Sequence, residues 1–311
     1  MVTTVTLSPS LDKTYIVAEM KDDILNYAKK TVLLPGSKGI NVSRLLSRLE
    51  VPNTAIGLSG GAFGGLLESL MRQEKVEFDF THSRSDIRFN VKIIDLANSA
   101  FTDVNERGEA VTEEEYQRFL ENYKVYLRRS DYVVLAGSLR DGMPEETYAS
   151  LIQMAHQEKV PVFLDCCGGC LRRTLAAKPF LVAPNIHELS DCFGEEFGSL
   201  DKVVECAKQI HKNGIAYAIV TMGADGAVLA CANGVYKMTP PPVHTKNTTG
   251  AGDSFLAGIL YGMLRHASEE EMLRIAGSVS TAKVAREDTG MPDKNELFDY
   301  YSQTRAIKIE D

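Results

Sequence analysis

The residues of this chain best suited to chemistry stand together in Asn247-Thr248-Thr249-Gly250-Ala251-Gly252-Asp253. A Gly-Ala-Gly turn directly before a helix leaves backbone N–H groups free, and glycine lets the chain turn tightly and an anion come close. The helix start adds a favourable dipole. Such a nest suits the charge that builds on a transferring phosphoryl group. A carboxylate in the same turn would repel a phosphate if binding were its only task. It makes sense as a base that takes the proton of an attacking hydroxyl. Asp253 is the candidate base, with Gly250, Ala251 and Gly252 as the anion-holding turn. The tetrapeptide alone fits equally well an early-helix carboxylate drawn there by the dipole. It does not have the Gly-x-Gly-x-x-Gly spacing of a dinucleotide fold, and the chain has no Gly-x-x-x-x-Gly-Lys-Ser/Thr loop and no His-Arg-Asp or Asp-Phe-Gly signature.

A second cluster, Cys166-Cys167-Gly168-Gly169-Cys170, holds a Cys-x-x-Cys at Cys167 and Cys170. Zinc needs a matching second pair, which the sequence does not offer. A Gly-rich turn after the strand Val162–Asp165 is the expected structure there. Six cysteines spread over 311 residues point to a reducing, cytoplasmic setting. The start, Met1 to Leu7, reads as a strand and lacks the basic, then apolar, character of a signal peptide. No run of 18 apolar residues offers a membrane span. With 34 Lys and Arg against 42 Asp and Glu, the net charge of −8 argues against a nucleic-acid partner. Anions must be bound locally, by placed cations and amides.

These groups need a scaffold, and the apolar pattern supplies one. Val133 to Ala136, Val162 to Leu164, Phe180 to Val182 and Ala218 to Val220 are continuous apolar runs separated by helical stretches. Strands without alternation are buried on both faces, which predicts a mostly parallel sheet between two helical layers. Thr112 and Glu115 form a capping box before Tyr116, Phe119, Leu120, Tyr123 and Leu127 at helical spacing. Ser268 with Glu271 predicts a second box, and Phe255, Ile259 and Met263 a helix after the Gly-rich turn. Gly226 to Met238 reads as a hairpin. Residues 12–34 and 87–107 alternate in polarity and predict a small separate sheet on the main body.

Further motifs, in order along the chain, give the Asp253 turn its company. Ser8-Pro9-Ser10-Leu11-Asp12-Lys13-Thr14, Pro35-Gly36-Ser37-Lys38-Gly39-Ile40-Asn41-Val42-Ser43-Arg44, the Gly-rich segment 57–65, Ile87-Arg88-Phe89-Asn90-Val91-Lys92 and Thr102-Asp103-Val104-Asn105 come first. Gly137-Ser138-Leu139-Arg140-Asp141-Gly142, Asp165 to Leu171, Pro184-Asn185-Ile186-His187-Glu188 and Thr221-Met222-Gly223-Ala224-Asp225-Gly226 follow. Together with the Asp253 turn they resemble the ribokinase-like, PfkB-type carbohydrate kinases, in the branch of 1-phosphofructokinase and tagatose-6-phosphate kinase, over residues 1 to about 290.

The resemblance implies a single ribokinase-like domain over 1–311: a three-layer α/β/α fold whose lid segments, 12–34 and 87–107, form a small β-sheet. It implies that Asp12, Gly36, Gly39, Asn41 and Ser138 meet the sugar, that Lys38 and Arg88 meet its phosphate, and that the Ser37 hydroxyl could also bond that phosphate. Asn185, Thr221, Gly223, Ala224, Gly226, Gly250 and Gly252 would border ATP, with residues 278–283 near the adenine. Asn185 and Glu188 would organise Mg²⁺ through water, and His187 would be a surface or packing residue. The implied reaction is phosphorylation of fructose 1-phosphate to fructose 1,6-bisphosphate by a homodimer paired through the lid. Tagatose 6-phosphate or fructose 6-phosphate is the alternative substrate, and a non-catalytic sugar-phosphate sensor the alternative of another class. Four positions depart from the family pattern. Ser37 stands for a glycine, Ile87 for a threonine, Ala183 for a lysine, and Arg140-Asp141 for two prolines, which predicts a looser turn there.

Overall fold

The computed structural model describes residues 1–166, 169–286 and 290–311. Cys167 and Gly168, two of the five residues of the cysteine cluster, therefore lie outside the described residues. The first part of the chain runs β1 (Val2–Thr6), β2 (Ser10–Val17), β3 (Ala28–Gly36), α1 (Lys38–Arg48), β4 (Asn53–Gly60), α2 (Gly61–Gln73), β5 (Phe78–Ser83), β6 (Arg88–Asp95) and β7 (Ala100–Val104). It continues through α3 (Glu113–Leu127), β8 (Tyr132–Ala136), α4 (Thr147–Gln157), β9 (Val162–Asp165), α5 (Gly169–Leu175), β10 (Leu181–Val182), α6 (Ile186–Phe193) and α7 (Leu200–Lys212). The last part is β11 (Tyr217–Thr221), β12 (Ala227–Cys231), β13 (Gly234–Thr239), α8 (Ala251–Leu264), α9 (Glu269–Val284) and β14 (Arg305–Glu310).

Among the described residues, ten strands form the main sheet in the order β14-β13-β12-β11-β10-β9-β8-β1-β4-β5. From β11 to β5 all pairings are parallel; β12, β13 and β14 close one edge antiparallel. The apolar runs are continuous because each face of the sheet is covered. Val133 and Leu135 of β8 join the core against α3, α4 and α7, while Val134 and Ala136 of the same strand join the core under α1, α8 and α9. β9 divides the same way, with Val162 and Leu164 on one side and Phe163 on the other. This is the period-two geometry of a strand applied to two hydrophobic faces.

Helix starts follow the local chemistry. Both arms of the Thr112/Glu115 capping box are made, and α3 buries Tyr116, Phe119, Tyr123 and Leu127. At α9 only one arm of the expected box forms: the Ser268 hydroxyl accepts the Glu271 N–H at 3.3 Å. The Gly226–Met238 hairpin is present as β12 and β13.

A separate four-stranded sheet has the order β3-β2-β6-β7. Its strands begin at Ser10 and end at Val104, close to the alternating segments read from the sequence. β2 pairs in parallel with β6, which sets Asp12 opposite Asn90 and Thr14 opposite Lys92. This register brings two distant stretches of chain to one place beside the main sheet. No helix among the described residues is long and apolar enough to cross a membrane.

Candidate active site

The carboxyl ends of the parallel strands supply the site. In open α/β sheets this edge is where ligands bind, near the point where the strand order reverses. Here β1 lies between β4 and β8, and the chain leaves it for both sides.

Asp253 is the third residue of α8 and only 5% exposed. Gly250 caps the helix with φ 78°, a left-handed backbone that glycine adopts without strain. The Asn41 amide donates to Asp253 Oδ2 at 2.8 Å, tying α1 to α8. Burial pushes the Asp253 carboxyl up to about 7, and the negative charge of Asp165 pushes the same way. Lys38, the Asn41 hydrogen bond and Lys283 pull against them. A carboxyl poised there exchanges protons near neutral pH, the condition a general base needs.

Lys38, at the start of α1, donates from Nζ to Asp165 Oδ1 at 2.7 Å and to Glu188 Oε1 at 2.9 Å. Burial works against its charge, but Asp165, Glu188 and Asp253 outweigh burial and hold the ammonium above its ordinary range. Its head thus lies on the carboxylate side of the site. Asn185 and Glu188 form a reciprocal capping box on α6: Asn185 Oδ1 accepts the N–H groups of His187 and Glu188, and Glu188 Oε2 accepts the Asn185 N–H. With both lone-pair directions of its oxygen taken by amides, Asn185 has its NH₂ left to offer.

The small sheet provides a different set. Asp12 Oδ1 accepts from Ser10 Oγ at 2.9 Å and from Asn90 Nδ2 at 3.0 Å, and Lys92 Nζ stands 3.8 Å from Asp12 Oδ2. Asn90 Oδ1 and Arg88 Nε are buried without a partner among the described residues. Arg88 also donates to the Ser8 carbonyl at 2.9 Å and to Ser37 Oγ at 3.2 Å. Ser37 holds φ 84° and ψ 148°, a backbone that favours glycine, and its hydroxyl donates to the Ser8 carbonyl at 2.8 Å. A non-glycine residue in that conformation costs about 1–3 kcal/mol and persists where its neighbours fix it.

Two cavities open here. One, of about 380 Å³, is lined by Asp12, Ser37, Lys38, Asn41, Arg88, Asn90, Asp165, Asn185, Glu188 and Asp253. The other, of about 630 Å³, is lined by Gly223, Ala224, Gly226, Pro240 to Pro242, Phe255, Gly277, Ser280 and Val284. Thr221, Thr248, Ala251 and Gly252 line both. The turn before α8 therefore sits where a polar chamber meets a more apolar one.

The sequence matches the pfkB family carbohydrate kinase over residues 5–295. The chain belongs to that family. It is 36% identical over 290 residues to a 1-phosphofructokinase of Bacillus subtilis (strain 168), covering 93% of this chain and 94% of the relative. A 1-phosphofructokinase of Borreliella burgdorferi is 31% identical over 283 residues, 91% of each chain. Among solved structures, phosphofructokinase-2 from Escherichia coli in complex with substrates and products superposes with a TM-score of 0.90 at 28% identity, covering 97% and 98% of the two chains. That enzyme has also been solved with fructose-6-phosphate and in a tetrameric inhibited form. The protein is an ATP-dependent sugar kinase with the ribokinase-like fold, similar to 1-phosphofructokinases.

Against this pfkB frame, most residues singled out in the sequence converge on the two cavities, and three do not. Ser138 is exposed in the turn after β8, outside both linings. A Cβ on Gly39 would lie 2.4 Å from Thr6 Oγ1 and 2.8 Å from the Val5 carbonyl, so this glycine lets α1 pack onto β1. A Cβ on Gly36 would lie 2.2 Å from Asp12 Oδ1, so Gly36 leaves room for the Asp12 carboxylate instead of lining the cavity itself. His187 is exposed, as expected. The looser turn expected at Arg140-Asp141 is overturned: Arg140 is 3% exposed and hydrogen-bonded on every side of its guanidinium. The sequence reading gave no role to Asp165, Asn90 or Lys92. Asp165 carried one usable signal, an acidic residue at the carboxyl end of a buried parallel strand.

Proposed function

We propose that this kinase phosphorylates fructose 1-phosphate on its carbon-6 hydroxyl, giving fructose 1,6-bisphosphate, with Asp253 as general base. The observation that carries the proposal is the meeting of the two cavities at Thr221, Thr248, Ala251 and Gly252, with the Asp253 carboxyl on the polar side. ATP would lie in the larger cavity, its adenine near Gly277, Ser280 and Val284. The sugar would lie in the smaller one. Asp12 and Asn90 would bond its hydroxyls, and Arg88, Ser37 and Lys92 would face its phosphate. Asp253 then takes the hydroxyl proton as the oxygen attacks the terminal phosphate in line, and the amides of Gly250 to Gly252 receive the developing charge. The curated relatives named 1-phosphofructokinase support the choice of sugar.

Mg²⁺ fits the donor set. Asp165 and Glu188, both lining the polar cavity, offer carboxylate oxygens that would hold the ion. Mg²⁺ in such sites is held by one or two carboxylates together with nucleotide phosphates and water. When bound, the ion neutralises phosphate charge; Asn185, through its NH₂, would steady the nucleotide. We read the chain as one kinase domain in which segments 12–34 and 87–107 form a lid that closes over the sugar and excludes water.

ATP consumption over fructose 1-phosphate, fructose 6-phosphate and tagatose 6-phosphate tests this reading. The highest kcat/KM is expected with fructose 1-phosphate, and chelation by EDTA should abolish turnover until Mg²⁺ is restored. A preference for either other sugar overturns the substrate. Binding without ATP consumption overturns the enzyme in favour of a sensor.

Leu25 and Tyr27, in the connection between β2 and β3, and Phe101 and Val104 of β7 are each more than half exposed. We propose that two copies pair through the small sheet and the β2–β3 connection, since large apolar groups left in water mark contact surfaces. Sedimentation should show a dimer, and Tyr27→Glu should shift it toward monomer at micromolar concentration. A monomeric wild type defeats the proposal.

A further inference from the structure

Arg140 follows β8 in a turn where the resemblance led us to expect prolines, and nothing in the reaction requires a guanidinium there. Its surroundings are unusually complete. Nε donates to the Glu109 carbonyl at 2.7 Å, one terminal nitrogen to Ser83 Oγ at 3.3 Å, and the other to Ser85 Oγ at 2.9 Å and the Asp86 carbonyl at 2.7 Å. These partners belong to two segments, 83–86 and 109. Burial, with the like charge of Arg88, pulls the guanidinium below its ordinary range, and Glu115, Glu109 and Asp86 offset only part of this.

The two segments are those that hold Arg88. The first runs directly into it: the Asp86 carboxylate accepts the Ala62, Phe63 and Ile87 N–H groups, fixing the chain against α2 two residues before Arg88. The second passes over it. Arg88 donates to the Glu106 carbonyl at 3.3 Å, the Phe89 N–H donates to Glu106 Oε2 at 2.8 Å, and a Cβ on Gly108 would come within 2.8 Å of Arg88 Cγ. Arg140 thus clamps from below the two strips of backbone that fix where the Arg88 guanidinium points. A planar fork with five donors can join two backbone strips in one geometry, which a lysine cannot reproduce.

We propose that Arg140 is a positioning residue for the sugar-phosphate end of the site, setting affinity for that substrate through Arg88 without touching it. The proposal rests on the reading of Arg88 as the phosphate-facing cation.

The test is a double-mutant cycle with steady-state kinetics on fructose 1-phosphate and ATP. Arg88→Met should raise KM for the sugar phosphate by about a hundredfold, the scale of losing a charge-assisted contact. Arg140→Met should raise it by about tenfold, with kcat and KM for ATP within about twofold. Arg140→Lys should recover part of the loss. The double variant should be no weaker than Arg88→Met alone, because Arg140 has nothing left to position. Multiplying effects, an equal rise in both KM values, or no change at Arg140→Met would overturn the inference while leaving Arg88 in place. An unchanged sugar-phosphate KM in Arg88→Met would instead remove the reading beneath it. If Arg140→Met does not fold, Ser85→Ala takes its place: it removes one of the four contacts and should show the same selective rise at about two- to threefold.

Discussion

Asp253→Asn is expected to lower kcat by about 10²–10⁴-fold while KM for both substrates stays within a few-fold, the span that a positioned general base contributes. Asparagine keeps the shape of the side chain and its place at the third position of α8, so the turn and the contact to α1 survive. What it lacks is an acceptor able to take up a proton. The wild-type kcat/KM should rise with pH through about 7, following deprotonation of the buried carboxyl, and the residual rate of the variant should lack that limb. Stability should move the other way. The carboxyl titrates near 3.8 in an unfolded chain and at about 7 in the fold. Below 3.8 it is neutral in both states and costs nothing. Above 3.8 the unfolded chain releases a proton that the fold retains, so stability falls as pH rises, and the loss is complete once the buried carboxyl ionises above about 7. Asparagine is neutral throughout, so the variant should melt a few degrees above the wild type at pH 8, and the gain should shrink toward pH 5. Near-normal turnover in Asp253→Asn would sink the assignment.

The parts of this site that were legible in the sequence are those encoded within a few residues. The Gly250 turn before α8, the Thr112/Glu115 box and the continuous apolar strands each follow from neighbours along the chain. Asn185 and Glu188 were legible too, though their spacing serves the α6 cap as well as any ligand. What escaped was set by register and packing. Asp12 meets Asn90 because β2 and β6 pair in parallel, across 78 residues. Asp165 meets Lys38 across 127 residues; its place at a strand end marks the acid but not its partner. Arg140 read as a loosened turn because its partners come from chain 31 to 57 residues earlier. Gly39 read as sugar-lining because it stands inside a binding motif; its lack of a side chain instead answers to Thr6 and Val5 beneath it.

Lys38→Met is the second large effect, and it decides between two roles for one ammonium. The family resemblance assigns Lys38 to the sugar phosphate; in the structure its Nζ bonds Asp165 at 2.7 Å and Glu188 at 2.9 Å. If neutralising these carboxylates is its task, removing it leaves Asp165, Glu188 and Asp253 facing one another and the incoming phosphates without a counter-charge. Then kcat near neutral pH should fall about 10²–10³-fold, as when a charge-stabilising donor is lost from a water-poor site. Asp253 would hold its proton more tightly, because Lys38 is one of the groups that pull its carboxyl back toward ionisation. The acid limb of kcat/KM should therefore move above pH 7, and part of the lost rate should return as pH is raised. The Mg²⁺ concentration needed for half-maximal rate should change as well, since two carboxylates are released from the ammonium. A lysine that served the sugar phosphate would give a different pattern: KM for that substrate would rise by about tenfold or more, while the acid limb and the Mg²⁺ requirement stayed where they were. The geometry favours the first outcome. The 11-residue helix α1 would then present Lys38 to the carboxylates of β9 and α6, and Asn41, one turn on, to Asp253, the proposed base.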